Sequence, residues 1–288
     1  LKEVYRMNKI KIIIDSTADL NQDYIKENDI EIIGLGVNFN EENYIDGQDI
    51  TTEELYKKVQ EKNILPKTNA ITITKFLEIF KKYIDQGYDI FYTGISSKMS
   101  SSYNNATLAS QEFPEGRILV YDSYNLSTGI GLQVLKVVEL RKQGKNLQDI
   151  DEYLNSIKLN VRSQFIIETL DYLFKGGRCS ALSYFFGKHL NIKPIIGVKD
   201  GTMYVKRKVI GKTIKGLDLM VDMLKQDLNS LDLGTVMITS SIAPESEKYL
   251  YEKLSQIIDP KHIMVTHAGC VISSHCGPGT IGILYIIK

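Results

Sequence analysis

The chain has 288 residues, in which 35 Lys and Arg balance 35 Asp and Glu, so its formal net charge is zero. This balance argues against nucleic acid as a partner, because phosphate binding normally shows as a basic excess. Three cysteines are too few for a disulfide framework. No apolar run is long enough for stable membrane insertion, and the first residues are too polar for a secretory signal. We therefore predict a cytoplasmic protein.

In the first half, short β-branched segments alternate with amphipathic ones. The predicted strands are Lys9–Asp15, Glu31–Val37, Asp89–Ile95 and Arg117–Asp122. The predicted helices are Asn21–Asn28, Thr51–Lys62, Ile73–Gln86, Ser101–Phe113 and Ser127–Lys142. This alternation is typical of an α/β domain with a mostly parallel sheet. Ligands bind beyond the carboxyl ends of such strands, and three of these strands end in hydroxyl-rich loops, at Ser16, Ser96 and Ser123.

The second half has a different order of elements. Its predicted strands are Ser163–Thr169, Lys193–Val198, Gly201–Lys208, Gly234–Thr239, Ile263–Val265 and Ile281–Ile287, and its predicted helices are Leu170–Lys175, Ile214–Asn229 and Glu245–Ile258. We predict two α/β domains, residues 7–163 and 164–288, with Met7 as a candidate start. Apolar residues that can line a cavity or fill a core are Phe165, Ile166, Phe185, Phe186, Leu190 and Ile192.

The chain does not match the standard sequence signatures of nucleotide, hydrolase or metal sites. Gly129-Ile130-Gly131 begins like a dinucleotide fingerprint, but Val134 stands where the third glycine belongs. Gly211-Lys212-Thr213 resembles the end of a P-loop, but Lys206 replaces its first glycine. No G-x-S-x-G elbow is present. The spacing of His267, Cys270, His275 and Cys276 fits no closed zinc site. We predict neither a cofactor nor a metal.

The serine-rich loop Ser96-Ser97-Lys98-Met99-Ser100 joins a predicted strand to a predicted helix. One serine is explained as a helix cap, but the number of serines favours an anion site at the positive end of the helix. Three other segments are candidates: the polar turn Pro66–Ala70, the cationic tip Lys175-Gly176-Gly177-Arg178, and His275 at the mouth of a Gly277-Pro278-Gly279 turn. Each is also compatible with an ordinary turn or cap.

Together these pieces resemble the DegV family of bacterial fatty-acid-binding proteins. The resemblance runs from about Lys9 to the C-terminus and depends on the order of the motifs. They are Asp15-Ser16-Thr17-Ala18-Asp19-Leu20, Lys67-Thr68, Ile95-Ser96-Ser97-Lys98-Met99-Ser100, Asp122-Ser123 with Ser127 and Gly129, Lys175-Gly176-Gly177-Arg178, and His275-x-Gly277-Pro278-Gly279. The chain has Thr68-Asn69-Ala70-Ile71 where the family usually has Thr-Ser-Gln-Pro, and Met99-Ser100-Ser101-Ser102-Tyr103 where it usually has Leu-Ser-Gly-Thr-Tyr.

The resemblance implies a long-chain fatty acid buried between the two domains. It implies that Thr68 and a serine of the loop, Ser100 first and Ser97 second, hold the carboxylate, with Ser96 as a further ligand-binding candidate and His275 close to the head group. It also implies a non-catalytic carrier for phospholipid synthesis, which presents the acid to a separate fatty acid kinase that makes the acyl phosphate. Arg178 would then face the kinase or the phosphate.

Two other functions remain open at this point. In a hydrolase of acyl or phosphate esters, Ser97 or Ser100 would be the nucleophile, His275 the base, and Asp15 or Asp122 the carboxylate that orients the histidine. In a ligand-sensing protein, the same pocket would control binding to a regulator instead of a kinase.

Overall fold

The structure, a computed structural model, describes residues 9–178, 192–232 and 234–288. The strands are β1 (Ile10–Asp15), β2 (Ile30–Ile33), β3 (Gly36–Phe39), β4 (Glu42–Ile45), β5 (Lys67–Asn69), β6 (Asp89–Gly94), β7 (Ile118–Asp122), β8 (Val161–Ile166), β9 (Ile192–Lys199), β10 (Thr202–Ile210), β11 (Val236–Ser241), β12 (Ile263–His267) and β13 (Thr280–Ile286). The helices are α1 (Gln22–Glu27), α2 (Thr52–Lys62), α3 (Ile73–Asp85), α4 (Ser102–Ser110), α5 (Thr128–Lys142), α6 (Leu147–Ile157), α7 (Asp171–Lys175), α8 (Thr213–Asp227), α9 (Pro244–Leu254) and α10 (Cys270–Cys276).

A parallel sheet organises the first half, in the order β2-β1-β6-β7. Strand β1 is central and every one of its side chains is buried, as expected for a β-branched strand that is covered on both faces. The prediction of a mostly parallel sheet is confirmed. Since all four strands run the same way, their carboxyl ends, with Asp15, Gly94 and Asp122, lie along one edge.

The prediction of a single strand over Glu31–Val37 is wrong, because the chain leaves the parallel sheet in the middle of this segment. Strand β2 ends at Ile33, and β3 begins at Gly36 in a separate antiparallel sheet of order β4-β3-β5. The chain crosses between the sheets at Gly34, where a Cβ atom would lie 2.4 Å from the Ile45 side chain. Strand β5 occupies part of the segment predicted as a polar turn, and it brings Thr68 alongside Val37.

The second half is built on a six-stranded mixed sheet of order β10-β9-β8-β13-β11-β12, in which only β11 and β12 are parallel neighbours. Side chains of β13 alternate between its faces. Ile283 and Tyr285 pack with helices α8 and α9, whereas Leu284 and Ile286 join the core around α5. Helices α6 and α10 were not predicted from the sequence, and α10 carries His275.

Helix α5 lies between the parallel sheet and the six-stranded sheet. Ten of its residues are buried, which is typical of a helix enclosed on all sides. Its core cluster takes Ile12 from β1 and Leu284 from β13. The predicted domain boundary at residue 163 falls inside β8, so the division into two domains stays a prediction. In the described part of the chain, no helix is both long and apolar enough to cross a membrane.

Candidate functional site

A cavity of about 860 Å³, including its open mouth, lies between the two halves of the chain. The first half contributes Leu35, Thr68, Asn69, Ala70, Ile95, Met99, Ser100, Leu126 and Ser127 to its wall. The second half contributes Phe165, Leu173, Arg178, Met203, Thr239, Ser240, Ser241, Ala268, Val271, Ile272, His275, Cys276, Thr280, Gly282 and Leu284. Most of the wall surface is apolar, as in most small-molecule sites, and hydroxyl groups together with Asn69, Arg178 and His275 contribute polar side chains to it.

The best-defined polar point is a hydrogen bond between Thr68 and His275. The Thr68 hydroxyl lies 2.8 Å from His275 Nε2, although 207 residues separate them in the chain. His275 Nδ1 is buried and has no hydrogen-bond partner in the described structure. Burial, together with the smaller effect of the positive charge of Arg178, lowers the pKa of His275 to about 4. The imidazole is therefore uncharged at neutral pH.

The predicted cationic tip borders the same histidine. A Cβ atom on Gly176 would lie 2.3 Å from His275 Nδ1, so this position holds glycine because the imidazole packs against its backbone. Arg178 follows as an exposed residue that also lines the cavity, and its guanidinium donates to the Gly176 carbonyl at 2.8 Å. The tip thus places a cation at the rim of the cavity, beside the uncharged histidine.

The serine-rich loop contributes one of its three candidate serines to the cavity. Ser100 lines the wall, and its Oγ accepts from the Ser102 backbone N–H at 3.2 Å. Ser96 is fully buried and donates to the Gly201 carbonyl at 2.8 Å. Ser97 is not part of the described wall, and its backbone N–H donates to Asp122. A ligand-binding role for Ser96 or Ser97 stays a prediction.

Ser100 lies two residues before the start of α4. Ser101 is the N-cap of α4, and its side chain makes no capping hydrogen bond. Instead, Ser102 Oγ lies 3.1 Å from Ser100 Oγ and accepts from the Ile71 N–H at 3.2 Å. The two segments that depart from the usual family pattern therefore touch each other, and a proline in place of Ile71 would have no N–H to donate.

The apolar wall differs from the one expected. Phe165 lines the cavity, whereas Ile166 is in the core under α8 and Ile192 is not among the wall residues. Phe185, Phe186 and Leu190 lie outside the described residues. Val271 and Ile272 also line the cavity and were not predicted from the sequence; they precede His275 and Cys276 by four positions on α10. That spacing, typical of one helical face, is the signal that could have found them.

The hydrolase arrangement is not assembled. Among the described residues, His275 Nδ1, which a carboxylate would have to orient, has no hydrogen-bond partner. Asp15 is fully buried and accepts from the Ile95 N–H at 2.9 Å and from Thr17. Asp122 accepts from the backbone N–H groups of Ser97 and Tyr124. Both carboxylates hold loops in place, so neither serves the histidine.

Two further buried carboxylates fix the other end of α10. Asp46 accepts from the backbone N–H groups of Cys270 at 2.7 Å and Val271 at 3.3 Å. Asp19 accepts from the Gly269 N–H at 2.8 Å and from the Ser127 hydroxyl. Burial raises the pKa of both carboxyls. These contacts tie the helix that carries His275 to the loops after β1 and β4.

Comparisons with known proteins give a consistent result. The DegV family profile, whose description reads "Uncharacterised protein, DegV family", matches residues 9–288. A DegV domain-containing protein of Clostridium acetobutylicum is 35% identical over 285 residues, which cover 98% of this chain and 100% of the relative.

Solved structures of the same family are similar over nearly the whole chain. A DegV family protein from Thermus thermophilus, described by its fatty acid binding, is 27% identical with a TM-score of 0.90 and covers 97% of this chain and 100% of its own. A stearic acid-binding protein from Eubacterium ventriosum is 27% identical with a TM-score of 0.86, at 97% and 98% coverage. With the profile matching from residue 9 to the last residue, the chain belongs to the DegV family.

Proposed function

We propose that this protein binds one long-chain fatty acid in the cavity between its two halves. The observation that carries the proposal is a mostly apolar cavity in whose wall the Thr68–His275 hydrogen bond is the best-defined polar feature. A fatty acid has the same distribution of polarity, with a single carboxylate at the end of an apolar chain. The fatty acids bound by the Thermus and Eubacterium proteins support this ligand class.

The carboxylate is held by hydroxyl groups rather than by a buried cation. With its proton on Nε2, His275 donates to Thr68 Oγ1, which leaves the Thr68 hydroxyl free to donate to the ligand. The same tautomer avoids a buried N–H without an acceptor at Nδ1. On the other side, Ser102 can donate to Ser100, whose hydroxyl is then directed to the second carboxylate oxygen.

The tail provides most of the affinity. For a chain of about 16 to 18 carbons, about 14 or more methylenes leave water at roughly 0.8 kcal/mol each, a gross gain of about 11 kcal/mol. Ordering of the chain and loss of free translation reduce this gain substantially. The apolar wall, including Met99, Leu126, Phe165 and Ile272, suits this burial because its side chains require no hydrogen bonds.

The protein acts as a carrier without catalysis of its own, in the cytoplasm of a bacterium. It presents the carboxylate to a separate fatty acid kinase, and the acyl phosphate formed there enters phospholipid synthesis. Arg178 supports this role, because it is a cation at the rim of the cavity. A guanidinium there can bind the transferred phosphoryl group or an acidic group of the kinase.

Mass spectrometry of the purified protein, first native and then after organic extraction, tests the ligand. We expect close to one long-chain fatty acid per chain, and reloading of the stripped protein by palmitate but not by butyrate. A mass without ligand, unchanged after incubation with mixed fatty acids, would contradict the proposal. ATP consumption by the pure protein in the presence of fatty acid would contradict the carrier role alone.

A further inference from the structure

A second cleft opens at a different place between the two halves. It is lined by Tyr124, Asn125, Lys158, Leu159, Val161, Arg162, Ser163, Val198, Lys199, Asp200, Tyr204 and Lys206. We call it the cationic cleft. Its volume is about 930 Å³ with its open mouth, and none of the described residues lines both this cleft and the fatty-acid cavity.

The cleft exists because two neighbouring strands diverge. Strand β8 extends back to Val161 and β9 extends on to Lys199, but their ladder ends at the pair Gln164 and Gly197. Beyond this pair, the β9–β10 hairpin turns away and its Gly201 carbonyl accepts from Ser96 of the first half. A gap therefore remains between Arg162 on one side and the hairpin on the other.

Cations dominate the walls of this gap. Lys158, Arg162, Lys199 and Lys206 face a single carboxylate, Asp200, within the lining. In the part of the chain that the structure describes, none of the four cations forms a salt bridge.

Two of the three lysines, Lys158 and Lys206, are held by neutral groups instead. The Lys158 ammonium lies over the rings of Tyr121 at 4.3 Å and Tyr124 at 4.8 Å. The Lys206 ammonium donates to the Gln164 side chain at 3.2 Å. Both lysines are half-buried, and such contacts position an ammonium group without neutralising its charge.

This arrangement is electrostatically unfavourable without a ligand. Burial lowers the pKa of Lys158 and of Lys206, and the charges of Arg162 and Arg207 lower that of Lys206 further. The attraction of Asp122 and Asp151 for Lys158, and of Asp227 for Lys206, opposes the shifts without reversing them. Positive charges that are partly removed from water and repel one another favour the binding of an anion.

We propose that the cationic cleft binds the phosphate group of a phosphorylated ligand between Lys158, Arg162 and Lys206. Several cations against one carboxylate suit a ligand with more than one negative charge, and a phosphate monoester carries about −1.5 to −2 at neutral pH. The guanidinium of Arg162 can bind two phosphate oxygens at once, while the lysines act as point charges.

Titration calorimetry at low salt with sodium pyrophosphate and with inorganic phosphate tests this site. We expect saturable binding to the unmodified protein and affinity about tenfold weaker for each lysine replaced in Lys158→Gln and Lys206→Gln, because each replacement removes a charged hydrogen bond. A parallel experiment uses phosphatidylcholine vesicles with and without phosphatidic acid. Binding only to the phosphatidic acid vesicles would identify a lipid head group as the source of the phosphate.

The double variant Lys212→Gln with Lys215→Gln is the matched control. It changes the net charge by the same amount on exposed residues outside the cleft, and we expect its affinity for pyrophosphate to equal that of the unmodified protein. The proposal is overturned if no probe binds saturably, or if the control loses as much affinity as the double variant Lys158→Gln with Lys206→Gln. Retention of fatty acid, measured in parallel, reports on folding and on the other site separately.

Discussion

The two ends of helix α10 differ in how completely their buried polar groups are hydrogen-bonded. At its start, Asp19 and Asp46 accept hydrogen bonds from Gly269, Cys270 and Val271. At its end, His275 forms one hydrogen bond and leaves Nδ1 without a partner in the described structure. Buried polar groups that are fully bonded hold a structure together. A partly bonded group beside an apolar cavity is available to a ligand.

The largest effect is expected where the bonding is complete. Asp46→Ala removes the acceptor of two N–H groups at the start of α10, at Cys270 and Val271. We expect the free energy of unfolding, measured by urea denaturation, to fall by about 4 kcal/mol, since each stranded buried donor costs about 1–3 kcal/mol. Glu41→Ala removes one exposed carboxylate and is the control. An equally small loss in both variants would mean that this end of α10 is not held by Asp46.

Asp15 and His275 are buried groups whose pKa shifts have opposite effects on the pH dependence of stability. Burial raises the pKa of Asp15 to about 6, above the unfolded value of about 3.9, so Asp15 stabilises the folded state as pH falls through this range. Burial lowers the pKa of His275 to about 4, below the unfolded value of about 6.5, so His275 destabilises the folded state as pH falls. Each effect is worth about 3 kcal/mol.

Because the two effects oppose each other, replacing either group should leave the effect of the other group on stability uncompensated. As the pH falls from about 7 to about 4.5, the free energy of unfolding of His275→Asn should rise relative to that of the unmodified protein. The free energy of unfolding of Asp15→Asn should fall relative to it. Urea denaturation of both variants and of the unmodified protein at each pH measures the shifts. The same pH dependence in all three proteins would show that neither pKa is displaced as stated.

A smaller effect is expected at the C-terminal end of α10, where His275 lies beside the cavity. Thr68→Ala with Ser100→Ala removes the two hydroxyls assigned to the carboxylate, and retention of fatty acid should fall by about a hundredfold or more, because each of the two charge-assisted hydrogen bonds contributes about 1.5–3 kcal/mol. Quantitative mass spectrometry after dialysis measures retention. Thr74→Ala with Ser101→Ala is the matched control, since both residues are exposed and Ser101 makes no capping hydrogen bond. Unchanged occupancy in the first variant would refute the head-group assignment.

The smallest effect on the ligand is expected at the rim. Arg178→Ala should leave fatty-acid retention unchanged and lower the yield of acyl phosphate with the fatty acid kinase, because Arg178 is exposed and its guanidinium bonds only to the Gly176 carbonyl among the described residues. Lys142→Ala, an exposed cation at the end of α5, is the control. Equal yields from both variants would remove Arg178 from the interface with the kinase.

Elements with a strong local pattern were predictable from the sequence. Strands β1, β6 and β7 and helix α5 lie where the sequence predicted them. The spacing and length of their apolar runs are typical of a buried strand or a helix. Strand β5, three residues long, and helix α10, seven residues long, carry no comparable pattern. Both are stabilised by distant segments: β5 by pairing with β3, and α10 by the carboxylates of Asp19 and Asp46.

The sequence alone determined the class of fold, the absence of the usual nucleotide and elbow motifs, and the residue types of the site. Only the tertiary structure decided which of these residues meet. Thr68 and His275 are far apart in the chain and come together because β5 and α10 meet at the cavity. Ser96, identical in type to Ser100, is used instead to bond the β9–β10 hairpin. Local sequence specifies the chemistry of a side chain, but packing between distant segments decides its partner, since side-chain contacts act only over a few ångströms.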